Sequence, residues 1–228
     1  GQVYFNSTAN AFKVTEQPIP GGSWASGGDM NIASYGRAAA GTQDSALVAG
    51  GSINTGPPTA PITADTELYD GTSWTEVNNL NEAKEFAAGA GASNTAVVVF
   101  GGYDSPTNLA ETELWNGSSW TEVNDLGTAR RYLAGFGIST AAIAATGITP
   151  SDTANVESWD GSSWTEVNNV NTARQGAYGA GTTTDGMIFM GSGPGGNVAA
   201  VETWDGTSWT ETTDLNTPRK DLSAGGTY

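Results

Sequence analysis

At 228 residues the chain is long enough for one large all-β domain, and its formal net charge of -16 argues against nonspecific attraction to nucleic acid or to anionic membrane surfaces. It contains no cysteine and no histidine, which removes a disulfide framework, Cys-His and Ser-His-Asp chemistry, and ordinary zinc sites. With Gly 32, Pro 9 and a hydrophobic content of 37%, it fits short strands and many turns better than a helical globule.

The opening Gly1-Gln-Val-Tyr-Phe-Asn6 has neither the charged nor the apolar region of a signal peptide and no initiator Met, as expected of a processed or excerpted chain. No apolar run approaches the roughly 18 to 20 residues of a membrane helix, so membrane insertion is not expected. Within the opening, Val3-Tyr-Phe5 reads as the second strand of a blade that lacks its first. A degenerate repeat follows from Gly22-Ser-Trp24 to Arg37. Four close copies of one motif then run from Gly71 to Lys84, Gly117 to Arg130, Gly161 to Arg174 and Gly206 to Arg219. Their tryptophans, Trp74, Trp120, Trp164 and Trp209, recur at intervals of 46, 44 and 45 residues, one supersecondary unit per repeat.

Residues 83 to 125 show what one unit contains. Phe86-Ala-Ala-Gly-Ala-Gly91 is a first strand of small residues. Ala96-Val-Val-Val-Phe100 is a continuous apolar strand, expected to be covered on both faces, and ends in Gly101-Gly102. Thr112-Glu-Leu-Trp115 and Ser119-Trp-Thr-Glu-Val123 are the third and fourth strands, joined by a turn at Asn116-Gly117. Asp70-Gly, Asp160-Gly and Asp205-Gly occupy the matching place in the other repeats, each a strong hairpin signal because the turn needs positive φ. Trp115 and Trp120 are an odd number of residues apart, so a two- or four-residue loop puts them on one face of the hairpin. The equivalent pairs are Tyr69 with Trp74, Trp159 with Trp164, and Trp204 with Trp209.

Sheets that are apolar on both faces must be covered on both, and identical units achieve this by packing face to face around an axis. The expected fold is therefore all-β, a five-bladed β-propeller of four-stranded antiparallel blades. The chain forms a single domain over 1-228, with blades at approximately 36-79, 83-125, 129-170 and 173-214. A closing blade takes 1-30 together with 218-228, where Leu222-Ser-Ala-Gly-Gly-Thr-Tyr228 supplies a first strand to pair with the N-terminal strands and remove the open edge. The Ala and Gly of each first strand suit a narrow axis, although glycine within a strand costs about 0.5 to 1 kcal/mol.

An apolar strand ending in Gly-Gly, followed by an aromatic and a Trp and preceded by an Arg, resembles the kelch repeat. The residues that carry the likeness are Gly50-Gly51, Gly101-Gly102, the aromatic pairs, and Arg37, Arg130, Arg174 and Arg219, and it covers essentially the whole chain. Departures are an aromatic-to-Trp spacing of five, Thr146-Gly147 and Gly191-Ser192 in place of the double glycine, Lys84 in place of Arg, and five blades where kelch propellers more often have six or seven. The Asp-Gly-Thr-Ser-Trp turn also looks like a shortened Asp box of sialidases, without the residue between Asp and Gly. The near identity of Trp-Thr-Glu-Val-Asn across copies resembles repetitive kelch-like arrays in virus fibres and in surface proteins of aquatic microbes and their phages. That likeness implies an extracellular or virion-surface setting, within a larger assembly.

Seven of the eight basic residues lie at the junction between an outer strand and the next inner strand: Arg37, Lys84, Arg130, Arg131, Arg174, Arg219 and Lys220. One reading makes them an anion or acidic-glycan site around the channel mouth. The other pairs Arg37, Lys84, Arg130, Arg174 and Arg219 as a structural ring with a recurrent Glu (Glu67, Glu113, Glu157, Glu202), because a carboxylate beside the third-strand aromatic needs a cationic partner. Arg131 and Lys220 are then left for recognition. Loops differ between repeats at Ser52 to Thr66, Tyr103 to Ala110, Ile148 to Asn155 and Ser192 to Ala200. Specificity usually resides in such loops, although they also vary where nothing constrains them. Tyr103 and Asp104, beside Arg131, complete the expected contact set with Lys220.

No catalytic residues, metal site or cofactor are expected. Glu76, Glu122, Glu166 and Glu211 read as solvated outer-strand acids, no EF-hand spacing occurs, and the sequons Asn6-Ser-Thr8 and Asn116-Gly-Ser118 matter only in a glycosylating host. The expected function is a noncatalytic adhesion module for a protein or cell-surface glycan. The alternatives are a structural cap or decoration domain of a fibre or capsid, and a glycoside-acting enzyme with two convergent carboxylates.

Overall fold

The computed structural model describes residues 3–6, 11–14, 27–53 and 60–220. Among them there is no helix, and every named strand pairing is antiparallel. Strands β1 (Val3–Asn6) and β2 (Ala11–Val14) form a hairpin with Phe5 opposite Phe12. The expected pairing of residues 222–228 with this N-terminal segment lies outside the described residues.

The first four-stranded sheet combines β4 (Ala38–Thr42), β5 (Ser45–Ala49), β7 (Thr66–Tyr69) and β8 (Trp74–Val77), while β3 (Ser34–Tyr35) pairs with β6 (Ser52–Ile53) at one end. The second sheet is β9 (Ala88–Ser93), β10 (Ala96–Tyr103), β11 (Asn108–Trp115) and β12 (Trp120–Val123). The third is β13 (Ala134–Ile138), β14 (Ala141–Ala145), β15 (Val156–Trp159) and β16 (Trp164–Val167). The fourth is β17 (Tyr178–Thr182), β18 (Asp185–Phe189), β21 (Val201–Trp204) and β22 (Trp209–Glu211), with β19 (Ser192–Gly193) and β20 (Gly196–Asn197) forming a small hairpin in the loop between β18 and β21. Strand order follows chain order in all four sheets, and β4, β9, β13 and β17 lie side by side in succession. This arrangement is compatible with a propeller.

Two boundaries differ from the sequence reading. β10 and β11 run past Gly101-Gly102 through a bulge between Phe100 and Gly102, so the pair continues to Tyr103 opposite Asn108. Phe86 lies outside the inner strand with a positive φ of 56°.

The core lies between the sheets. One cluster joins the first and second through Leu47, Val97, Val99, Trp115 and Trp120. The next joins the second and third through Val98, Phe100, Ala142, Trp159 and Trp164. The last joins the third and fourth through Phe136, Ile143, Ile188, Trp204 and Trp209. Each large side chain buried in this way contributes about 1.5 to 3 kcal/mol. Between the inner strands the sheets approach too closely for ordinary residues: a Cβ on Gly135 would sit 2.8 Å from the Ala88 Cβ, and one on Gly179 would run into the Phe136 ring.

The hairpin register explains the tryptophans. Tyr69 faces Trp74, Trp115 faces Trp120, Trp159 faces Trp164 and Trp204 faces Trp209, each across a four-residue loop, with ring centroids 5.0 to 5.4 Å apart. In each loop the first side chain accepts from the amides two and three residues on. Asp160 Oδ1, for example, takes Ser162 N and Ser163 N at 2.8 Å each. These bonds to the charged form hold the Asp160 carboxyl down at about 2 and lower Asp70 and Asp205 as well. The third-strand indoles of Trp115, Trp159 and Trp204 donate to Asn94 O, Ser139 O and Thr183 O, tying each hairpin to the turn at the end of its own inner strand.

The outer-strand indoles reach the preceding sheet. Trp120 Nε1 donates to Thr66 Oγ1 at 3.1 Å and Trp164 Nε1 to Thr112 Oγ1 at 3.0 Å. Val156 stands at the corresponding position of the third sheet, and the Trp209 Nε1 is buried with no hydrogen-bond partner.

Candidate functional site

Two sets of cations sit at the junctions between sheets, and they are built differently. The first set is a series of clasps. Glu67, Glu113, Glu157 and Glu202 are almost fully buried in their third strands. Each receives a cation: Lys84 Nζ to Glu113 at 3.1 Å, Arg130 Nη1 to Glu157 at 3.0 Å, Arg174 Nη1 to Glu202 at 2.9 Å, and Arg37 Nη2 to Glu67 at 3.5 Å. The tail of the preceding repeat supplies the remaining donors. Asn81 N and Nδ2 both reach Glu113 Oε2 at 2.8 Å, Asn171 N and Nδ2 reach Glu202 Oε2 at 2.6 and 2.8 Å, and Gly127 N reaches Glu157 Oε2 at 2.6 Å. Burial lowers the pKa values of Arg130 and Arg174, with Glu157 and Glu202 opposing it. Both guanidinium groups stay charged at any ordinary pH.

Arg37 departs from the pattern expected of the ring. Lys84, Arg130 and Arg174 stand four residues before the first paired residue of their inner strands, a place taken by Ser34 in the first repeat. Arg37 is three residues later. Its side chain folds back to Glu67, with Nε donating to Ser34 Oγ, and the ion pair is the longest of the four. The double-glycine position also shifts in the fourth repeat: Met190-Gly191, not Gly191-Ser192, is equivalent to Thr146-Gly147. The second residue of each such pair donates to the carbonyl at the next cation position, Gly51 N to Lys84 O, Gly102 N to Arg130 O, Gly147 N to Arg174 O and Gly191 N to Arg219 O. A Cβ on Gly101 would lie 2.7 Å from Arg130 O, yet Thr146 and Met190 stand at the equivalent positions with a φ of 63°, so this place accepts side chains in the third and fourth repeats. Arg219 is exposed, its Nε donating to Thr217 O at 3.4 Å, and Lys220 beside it is exposed too.

The second set, represented by Arg131, lies beside the mouth of a cavity between the inner strands. Just after the clasp positions, Gly36, Phe86, Tyr132 and Gly176 share a positive φ of 54° to 67°. They link consecutive sheets into a backbone belt: Phe86 N to Gly36 O at 2.7 Å, Tyr132 N to Phe86 O at 3.0 Å and Gly176 N to Tyr132 O at 2.8 Å. The belt rims a cavity of about 670 Å³ whose wall is the Ala and Gly of the inner strands, with Tyr35, Phe86, Tyr132 and Tyr178 among its lining. Phe86 and Tyr132 stack at 4.1 Å and 23°, and Tyr35, 49% exposed, lies 6.4 Å from Phe86.

Arg131 stands beside this mouth. Its guanidinium carbon is 4.1 Å from the centroid of Tyr103 and 5.8 Å from that of Tyr132, and Nη1 donates to Asn108 Oδ1 at 3.1 Å. Backbone bonds fix the partners: Glu85 and Tyr103 exchange N–H and C=O at 2.9 Å, and Arg131 pairs with Ile148. Tyr103 and Arg131 therefore come together, and Asp104 follows Tyr103 in the chain. Asp104 holds its own loop, accepting from Thr107 N at 2.9 Å. Lys220 lies in the segment after the fourth sheet. Sequence reasoning missed Tyr35, Phe86, Tyr132 and Asn108. Among the described residues no group of three or more carboxylates is placed to hold a metal ion.

No protein-family profile matches the chain, and a search of curated proteins finds no significant relative.

Proposed function

We propose that this chain is a five-bladed, kelch-like β-propeller that serves as a noncatalytic interaction module, displayed outside a cell or on a virus particle, and that it engages a glycan or protein through the channel-mouth face. The observation that supports this reading is the contrast between the two junction sets. The clasps repeat from sheet to sheet, while the residues immediately after them change in every repeat: Tyr35 opposite Ser52, Glu85 opposite Tyr103, Arg131 opposite Ile148, Gln175 opposite Ser192; Tyr35 is exposed, Tyr103, Arg131 and Gln175 are partly exposed, and Glu85 is buried with Ser52. A rigid frame that presents Tyr35, Tyr103, Arg131 and Gln175 at successive stations is the arrangement recognition needs.

The test is display of the purified chain in many copies on beads, because single sites of this kind bind weakly and gain from multivalency. The beads are offered a broad glycan array and surface proteins of candidate host cells. Binding that Tyr35→Ala abolishes without lowering the unfolding midpoint supports the reading. Binding that survives Tyr35→Ala and Tyr103→Ala, or burial of the mouth face against neighbouring subunits in an assembled particle, overturns it in favour of a structural cap.

A further inference from the structure

We infer that Arg131 and the tyrosines around it form a receptor for a sugar ring bearing a single carboxylate, a hexuronate or a sialate. The inference rests on the interaction reading above and names its ligand class.

Arg131 differs from every clasped cation. Lys84, Arg130 and Arg174 have fully buried side chains within 3.1 Å of a carboxylate. Arg131 is half-buried, forms no salt bridge among the described residues, and makes one hydrogen bond among them, to Asn108. A guanidinium carries five donors in a rigid fork, so most of that fork remains for a ligand. The group is nonetheless held in place. Tyr103 covers its face, Asn108 holds one edge, and Asn108 Nδ2 in turn donates to Ile148 O at 3.1 Å. A charge oriented before binding loses little freedom when a ligand arrives, and a planar fork matches a carboxylate in two parallel hydrogen bonds.

The surroundings select the rest of the ligand. Four of the chain's seven tyrosines, Tyr35, Tyr103, Tyr132 and Tyr178, lie at or beside the mouth. Phenol rings offer an apolar body with a polar tip, which suits a pyranose with its apolar faces and hydroxyl edges. The adjoining cavity of about 670 Å³, which Tyr132 lines and Arg131 and Tyr103 do not, falls in the usual size range of small-ligand sites and leaves room for the sugar beside the cation. A protein with a net charge of -16 repels a polyanion and tolerates an isolated carboxylate delivered to one fixed cation.

The test uses the full chain and ligand-observed NMR, which detects weak binding. The probes are methyl glucuronate, N-acetylneuraminic acid, and the carboxyl-reduced form of each, with Arg131→Gln and Arg131→Lys as variants checked for an unchanged unfolding midpoint. The expected result is binding of at least one acidic sugar, a loss of about tenfold or more on carboxyl reduction and again in Arg131→Gln, and partial retention in Arg131→Lys. The two acids tell a uronate from a sialate site. Equal binding of acidic and reduced sugars, dependent on Tyr35, would leave the interaction reading standing and overturn this one. Silence of all four sugars with folded protein overturns the inference, while a protein ligand found in the bead experiment keeps the broader reading.

Discussion

Arg130 and Arg131 are neighbours in the chain and have opposite surroundings. Arg130 is fully buried against Glu157, donates from Nη2 to Ala144 O, and has equivalents in Lys84 and Arg174. Arg131 is half-exposed, lies flat on Tyr103, and its equivalents are Tyr35, Glu85 and Gln175. One peptide step separates a position that three successive junctions fill with a buried cation from one that no two repeats share. A buried ion pair is costly to break because the survivor is left charged in a poorly solvated site, whereas a rim cation can be exchanged at little cost to the fold.

The sharpest way to break this comparison is at a clasp. Glu113→Ala strands Lys84 and the donors of Asn81, and is expected to lower the free energy of unfolding by about 3–5 kcal/mol in urea titration, or to prevent folding. Next in size is the contact between inner strands: Gly135→Ala forces a Cβ against Ala88 and Phe100 and is expected to cost about 1–3 kcal/mol by the same measurement. Smaller and of opposite sign is Val156→Thr, which restores at the third sheet the hydroxyl that Thr66 and Thr112 offer the next tryptophan. Giving the buried Trp209 Nε1 an acceptor is expected to raise stability by about 1 kcal/mol, and a lower unfolding midpoint would contradict that account.

The smallest effect is a pH dependence. The Asp160 carboxyl is lowered from its ordinary 3.8 to about 2 by bonds that exist only in the folded turn. Its contribution is therefore present above 3.8 and is lost as the pH falls through about 2. Asp160→Asn keeps the acceptor, as Asn116 does naturally, and is expected to flatten the stability profile in that window while leaving neutral pH unchanged. At the rim, Arg131→Ala is expected to shift stability by no more than about 0.5 kcal/mol.

Much of the frame was legible because periodicity and parity are properties of the sequence itself. The odd spacing of Trp115 and Trp120 requires a common face for an even loop, and the structure has them directly opposed. The Glu two residues before the third-strand aromatic could be set against a junction cation by register alone, although Arg37 shows the limit: a long side chain reaches the same carboxylate from three residues away. The mouth was less legible. Phe86 and Tyr132 adopt positive φ without being glycine, because the belt hydrogen bonds hold them there, and no local signal announces that. Asn108 looked like an ordinary loop residue, since its role depends on a neighbour from the next sheet.

The clasp also defines what an exchangeable segment of this protein is. Glu113 belongs to one repeat and Asn81 to the tail of the one before, so each stretch of about 45 residues carries the acceptor half of one joint and the donor half of the following one. Because the two halves have the same chemistry at successive joints, a copied stretch inserted in phase meets a compatible partner at both ends. The near identity of Trp-Thr-Glu-Val-Asn in three copies is what such a joint permits: gain or loss of whole units without a new interface having to be found.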